Sequence, residues 1–212
     1  MAKPLIVRIL VSLLLVVVAL GVCAFVISKW TAYRADAFLR DIRSLQLQSS
    51  SFKQVRDVMT KYGAMSFPTG CDSHLCSYTT EFRNTWLESL RLAPPTRLSC
   101  TLNVKDDTLV LRECTYFTHD LAGFGASVWE TMHLHDAISE PCYVQREFIP
   151  RPSGPDIRYR VFIFLTPGAS ADQHLAVFGM NPRCLAKIGG CKDPLALLPT
   201  VPWGKEATTH HC

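Results

Sequence analysis

A chain of 212 residues, 48% of them hydrophobic, holds one modest folded domain plus whatever its N-terminus adds. Of its 22 Lys and Arg residues, two precede the apolar run described next; the other 20 face 18 Asp and Glu, leaving about +2. With no block of five basic residues, repeat or low-complexity tract, that balance argues against a nucleic-acid partner.

Residues 9–27 read "ILVSLLLVVVALGVCAFVI", nineteen positions without a charge. About twenty apolar residues at ~1.5 Å each match the ~30 Å hydrocarbon layer, so residues 9–28 are expected to span a membrane. A secretory signal would have a shorter apolar region and a small-residue cleavage site. Val22-Cys23-Ala24 is a poor site, Val22 is bulky for lipoprotein processing at Cys23, and the run continues to Ile27. An uncleaved anchor is therefore expected, with Trp30 and Tyr33 at the interface and Lys29 snorkelling.

Two rules disagree on orientation. Lys29, Arg34, Arg40 and Arg43 outnumber Lys3 and Arg8, which by the positive-inside rule favours a cytoplasmic C-terminal part. Eight cysteines after the anchor, an even number dispersed through a small domain, favour an oxidising compartment instead. The basic surplus is diluted by Asp36 and Asp41, and we follow the cysteines: an inner (plasma) membrane protein, single-pass, with its C-terminal domain extracytoplasmic.

Beyond the anchor, Phe38, Ile42 and Leu45 continue a helical spacing to Leu47. After "QSSS" (48–51), Ser51 and Gln54 form a capping-box pattern. Phe52, Val55, Val58, Met59 and Tyr62 then make one stripe of a helix over 52–62, which Gly63 ends. "CSYTTEF" alternates as a strand, and "NTWLESLRLAPP" predicts a short helical turn packing Trp86 and Leu90. "RLSCTLNVKDDTLVLRECTY" is a hairpin: a three-residue loop at Asp106, Asp107 and Thr108 sets Lys105 against Leu109 and Cys100 against Cys114. Opposed Cβ atoms lie close enough for a disulfide. "GFGASVWETMHLHDAIS" (123–139) fits helix or strand. "CYVQREFI" and "IRYRVFIFL" form a second hairpin, whose later strand is apolar on both faces and so central. The tail returns to helix and loop. The fold class expected is α+β: four to five antiparallel strands packed with a few helices and stapled by disulfides.

"CDSHLC", "WLESLRLAPPTR", "FLTPGASADQ" and "CLAKIGGCKDPLALLP" resemble segments of uncharacterised single-pass membrane-anchored proteins of acidobacterial type, over roughly residues 50–200. That resemblance implies export and disulfides and brings no activity with it. In order of elements alone the chain is also similar to small accessory proteins of outer-membrane assembly, a likeness of fold that carries no function.

Few residues suggest chemistry. Cys71-x4-Cys76 is wide for a zinc knuckle and would need Cys184/Cys191 or His210, His211 and Cys212 to complete four ligands. No C-x-x-C exists, and Asp72 beside Cys71 opposes a reactive thiolate. His133 and His135, near Glu130 and Asp136, could share a metal if their segment is a strand, but on a helix they diverge; a solvated face is the plainer expectation. Ser127 lies outside a nucleophile elbow. Neither catalytic residues nor a cofactor are assigned. Locality pairs Cys71 with Cys76, Cys100 with Cys114 and Cys184 with Cys191, leaving Cys142 for Cys212.

The expected organisation is a short tail (1–8), the anchor (9–28), a helical stalk (29–50), an extracytoplasmic domain (51–203) and a polar tail (204–212). The expected role is an envelope binding or interaction module, in contact with the bilayer through residues 9–28 and with a possible envelope protein partner. A metal-dependent or hydrolytic envelope enzyme and a purely structural envelope protein are the alternatives.

Overall fold

A computed structural model describes residues 3–68, 71–118, 124–131, 142–150, 157–166, 168–191, 194–199 and 209–211. Helix α1 (Lys3–Arg43) contains the apolar run and continues past it without a break. Its first part is exposed, while Ala35, Phe38, Leu39 and Ile42 are fully buried in the domain core. Residues 29–50 are therefore not a free stalk. The three-and-four spacing that suggested a helix also forms the stripe that packs, and Leu45 extends it.

Helix α2 (Phe52–Lys61) begins at Ser51, where the capping box with Gln54 is formed. It ends in a Schellman motif: Gly63 (φ +75°) donates to Thr60 O and Ala64 donates to Met59 O. Val55 and Met59 face the core. Asp41 of α1 joins the two helices, accepting from Lys61 Nζ and Tyr62 Oη at 2.7 Å each.

Eight strands form one sheet: β1 (Met65–Phe67), β2 (Leu75–Arg83), β3 (Thr96–Lys105), β4 (Thr108–Thr118), β5 (Phe124–Thr131), β6 (Cys142–Pro150), β7 (Ile157–Leu165) and β8 (Thr209–His211). Their order is β1-β2-β3-β4-β5-β7-β6-β8. Six are long and two are three-residue edge strands, more than the four to five expected. The edge strands are too short to show a period, and Gly123 and Gly125 hid β5. The sheet is also not wholly antiparallel, since β5 and β7 run parallel. The cause is the β6–β7 hairpin: β6 takes the outer position and β7 returns between β5 and β6. That interior place suits a strand with Val161, Ile163 and Leu165 buried on one face and Phe162 and Phe164 half-buried on the other.

Alternate residues of β2, β3, β4, β5 and β7 meet α1 and α2 in one core, with Leu102, Tyr116, Val128 and Ile163 among the fully covered side chains. Between β2 and β3, α3 (Thr85–Ser89) is the predicted short turn, but it packs Leu87. Trp86 and Leu90, expected to pack, are 40% and 51% exposed. After β7 come α4 (Ala171–Val177), a 3-10 turn (Pro182–Ala186) and α5 (Pro194–Leu197). At the chain's end, β8 pairs with β6, so residues 209–211 are part of the sheet rather than a free tail.

The first hairpin reaches its predicted register by another route. Its turn has two residues, Asp106 and Asp107, both left-handed (φ +48° and +62°), with Lys105 opposite Thr108. A bulge at Val110 supplies the missing residue, so Cys100 still faces Cys114. The left-handed aspartates are held from two sides. Asp106 and Asp107 donate their amides to His74 O and Ser73 O, at 3.1 and 2.7 Å, while the amide of Phe52 at the start of α2 donates to Asp107 O. The Cys71–Cys76 disulfide thus closes a loop that braces the β3–β4 turn. His74 sits exposed at its tip, 3.4 Å from an equally exposed Asp106, a contact of little energetic weight.

Candidate functional site

The same bulge decides the polar centre of the molecule. Counting by twos from Leu109 would point Arg112 outward; with one extra residue in β4, Arg112 joins Cys114 and Tyr116 on the helix-covered face. Glu130 on β5 is its direct cross-strand partner. Arg112 Nε donates to Glu130 Oε2 at 2.7 Å and Nη2 donates to the same oxygen. Both side chains are 3% exposed.

Arg112 is also the C-terminal cap of α1. Its Nη1 donates to Ile42 O at 2.6 Å and Leu45 O at 3.0 Å, two carbonyls where α1 ends, the first of which also accepts from the Leu45 amide. The ring of Phe178 lies 4.0 Å from its guanidinium carbon, a cation–π contact in a desolvated setting. Burial lowers the Arg112 pKa, and the Glu130 carboxylate offsets only part of that. In an apolar interior a lone charge would be expensive, and the paired carboxylate, two carbonyls and an aromatic face replace the lost water.

His174 completes the group. Helix α4 is started by a second capping box, Ser170 with Gln173, and His174 follows one residue later. Its Nδ1 lies 3.5 Å from Arg112 Nη2 and 3.5 Å from Glu130 Oε1. Unprotonated, that nitrogen can accept from Arg112; protonated, it can donate to Glu130. His174 is only partly covered, 26% exposed, because it borders an open cleft of 420 Å³. Leu45, Leu175 and Phe178 supply apolar wall, and Arg43 and Gln46 from the end of α1 supply polar rim. This volume lies in the range of small-ligand sites. Among the described residues no serine, threonine or cysteine lines the cleft.

Of this group only Glu130 was noted in the sequence, as a neighbour of His133 and His135, and its pairing with Arg112 and His174 was not foreseen. The signal that could have found it is the period of two: Arg112 stands two residues before Cys114 on β4, and Glu130 two after Val128 on β5. Charges at positions that share a face with core residues mark a buried pair. Of the residues that sequence did single out, three cysteine pairs are brought together as bonds: Cys71–Cys76, Cys100–Cys114 and Cys184–Cys191. Cys142 is disulfide-bonded as well, and Cys212, its expected partner, lies outside the described residues. His133 and His135 also lie outside them. Among the described residues no group of three or more His, Cys, Asp or Glu is placed to hold a metal. No protein family, curated protein or solved structure matches the chain.

Proposed function

We propose that the chain is a membrane-anchored extracytoplasmic module of the cell envelope that binds a ligand or partner at the α1–α4 cleft without chemistry of its own. The helix of residues 3–43 supports the anchor, because its exposed apolar part passes directly into the core of the domain. Three disulfides support an oxidising compartment, with the inner membrane of a bacterial envelope as the intended site. The observation that carries binding is the cleft itself. Its buried ion pair is consumed in holding α1 to the sheet, while Arg43 at its border gives it a basic character beside apolar walls. A small anionic ligand with an apolar portion, or an acidic side chain of an envelope protein, is the chemistry that fits.

The test is thermal unfolding of the detergent-solubilised full chain against a panel of organic carboxylates and phosphates. A true ligand at a hundred times its Kd stabilises by about 2.7 kcal/mol, and Leu175→Trp, which fills the cleft from an exposed position, should abolish the shift. Equal shifts in both proteins would reject the cleft as the site. A hydrolytic enzyme is the second possibility, favoured by His174 Nδ1 lying 3.5 Å from Glu130 Oε1. Ester turnover lost in His174→Gln would support it. Stoichiometric zinc lost on changing both His133 and His135 would instead support a metal-dependent enzyme.

A further inference from the structure

Residues 7–23 of α1 are exposed at every position, as a lipid-facing helix requires, and burial begins at Ala24 (6% exposed) and Ser28 (3%). Those 17 residues rise only about 25 Å, short of a hydrocarbon layer of about 30 Å. Counted from the charge at Arg8, the layer reaches to Ser28. Ala24 and Ser28 thus stand at membrane depth and are nevertheless covered by protein. Some part of the domain must lie against the helix at that level.

We infer that the base of the domain, made of α3 with its following loop and of the 3-10 turn, is seated in the interfacial layer of an anionic bilayer. The inference rests on the membrane-anchor role proposed above. Both elements pack on α1. They are also tied to each other, Asn84 Nδ2 donating to Leu185 O at 2.9 Å and Gly189 N to Leu92 O at 2.8 Å. Asn181, Pro182 and Ala186 of the turn border a narrow cleft with Lys29, Ala32 and Tyr33 of the helix, directly above the apolar run.

What this base exposes is otherwise hard to explain. Trp86 (40%), Leu90 (51%), Leu92 (43%) and Ile188 (70%) are all uncovered and lie on the two tied loops. On α1, Trp30 and Tyr33 stack at 5.7 Å and are each 59% exposed. Large exposed aromatic and aliphatic side chains on loops packed beside an apolar helix have the composition of an interfacial belt. Its rim is basic. Arg91, Arg183 and Lys187 are exposed there, whereas Glu88 is engaged by Arg83 at 2.7 Å and Asp36 by Arg40. That excess positive charge suits anionic headgroups, each such residue near the surface contributing about 1 kcal/mol. The anchor keeps the loops at the bilayer, so even weak contacts are populated.

The full chain, as Trp30→Phe, would be reconstituted into phosphatidylcholine–phosphatidylglycerol vesicles carrying acyl-chain bromines, with Trp86 as the reporter. Seated loops predict that bromolipid quenches Trp86, that adding Trp86→Phe removes the quenched component, and that aqueous iodide reaches it poorly. Leu90→Asp with Ile188→Asp, both at exposed positions, should keep the disulfides and the anchor yet lose most of that quenching. Trp86 quenched by iodide and not by bromolipid, in a chain that resists alkaline extraction, would overturn the seating alone. A chain extracted by alkali would overturn the anchor, and the seating with it.

Discussion

At its C-terminal end α1 is held by charge, and about 27 Å lower, level with Ala24, it is held by small side chains. The upper contact is directional. Arg112 must reach two carbonyls, a carboxylate and an aromatic ring at once. The lower contact, through Ala24, Ser28, Ala32 and Ala35, is a smooth stripe whose only side-chain hydrogen bond among the described residues, from Ser28 to Ala24 O, is internal to the helix. A stripe of that kind allows close approach and sets position loosely. The ionic contact fixes the rotation of α1 and its height on the sheet. One helix can therefore run from an exposed apolar part into the core because its orientation is fixed at the top.

The largest expected effect comes from breaking the upper contact. Arg112→Met should destabilise the domain by about 3–5 kcal/mol in denaturant unfolding, since buried Glu130 would lose its guanidinium partner and keep only the 3.5 Å contact with His174. Arg112→Met with Glu130→Met should recover much of that loss; equal loss in both would show that the carbonyl contacts matter more than the charge pair. Next in size is the covalent link on the same strands. Replacing Cys100 and Cys114 by serine opens a 14-residue span and should cost about 3 kcal/mol. At the lower contact, Ala35→Leu should cost about 1–3 kcal/mol by overpacking. Ala32→Leu, which borders an open cleft, should cost less. A reversed order would mean that the stripe, not the ion pair, sets the helix.

The smallest effect is a pH dependence at the α1–α2 junction. Burial works to raise the Asp41 pKa, but hydrogen bonds from Lys61 and Tyr62 and the nearby charges of Lys61 and Arg40 outweigh it, and the net effect holds the carboxyl below its ordinary value. A carboxylate lowered in the folded state stabilises above its unfolded pKa and loses that contribution as pH falls through the folded value. Stability should therefore decline from about pH 5 downward, and Asp41→Asn should flatten that part of the acid limb.

Much of the frame was legible in the sequence because it rests on local rules. The apolar run, the Ser51–Gln54 cap and the Gly63 stop each depend on a few neighbouring residues, and all three stand in the fold. The Cys100–Cys114 register was legible too, although through two compensating errors: the turn is one residue shorter, and the bulge restores the count. What stayed hidden depends on distant elements. Residues 29–50 have the spacing of a solvent-edge helix, and nothing local says that β2, β3 and α2 will close over them. The parallel β5–β7 pairing needs to know where β6 goes. The Arg112–Glu130–His174 group is drawn from two strands and a helix 62 residues apart at its extremes, and its key residue faces inward through a bulge that no composition signals.

The most direct test of one helix serving bilayer and core is the topology of the intact chain in a bacterial cell. Alkaline phosphatase and green fluorescent protein would be fused in turn after the last residue. The account predicts active phosphatase, a dark fluorescent fusion, and Cys100 and Cys114 resistant to alkylation until reduced. Fluorescence with inactive phosphatase would place the domain in the cytoplasm and contradict both the disulfide frame and the envelope role.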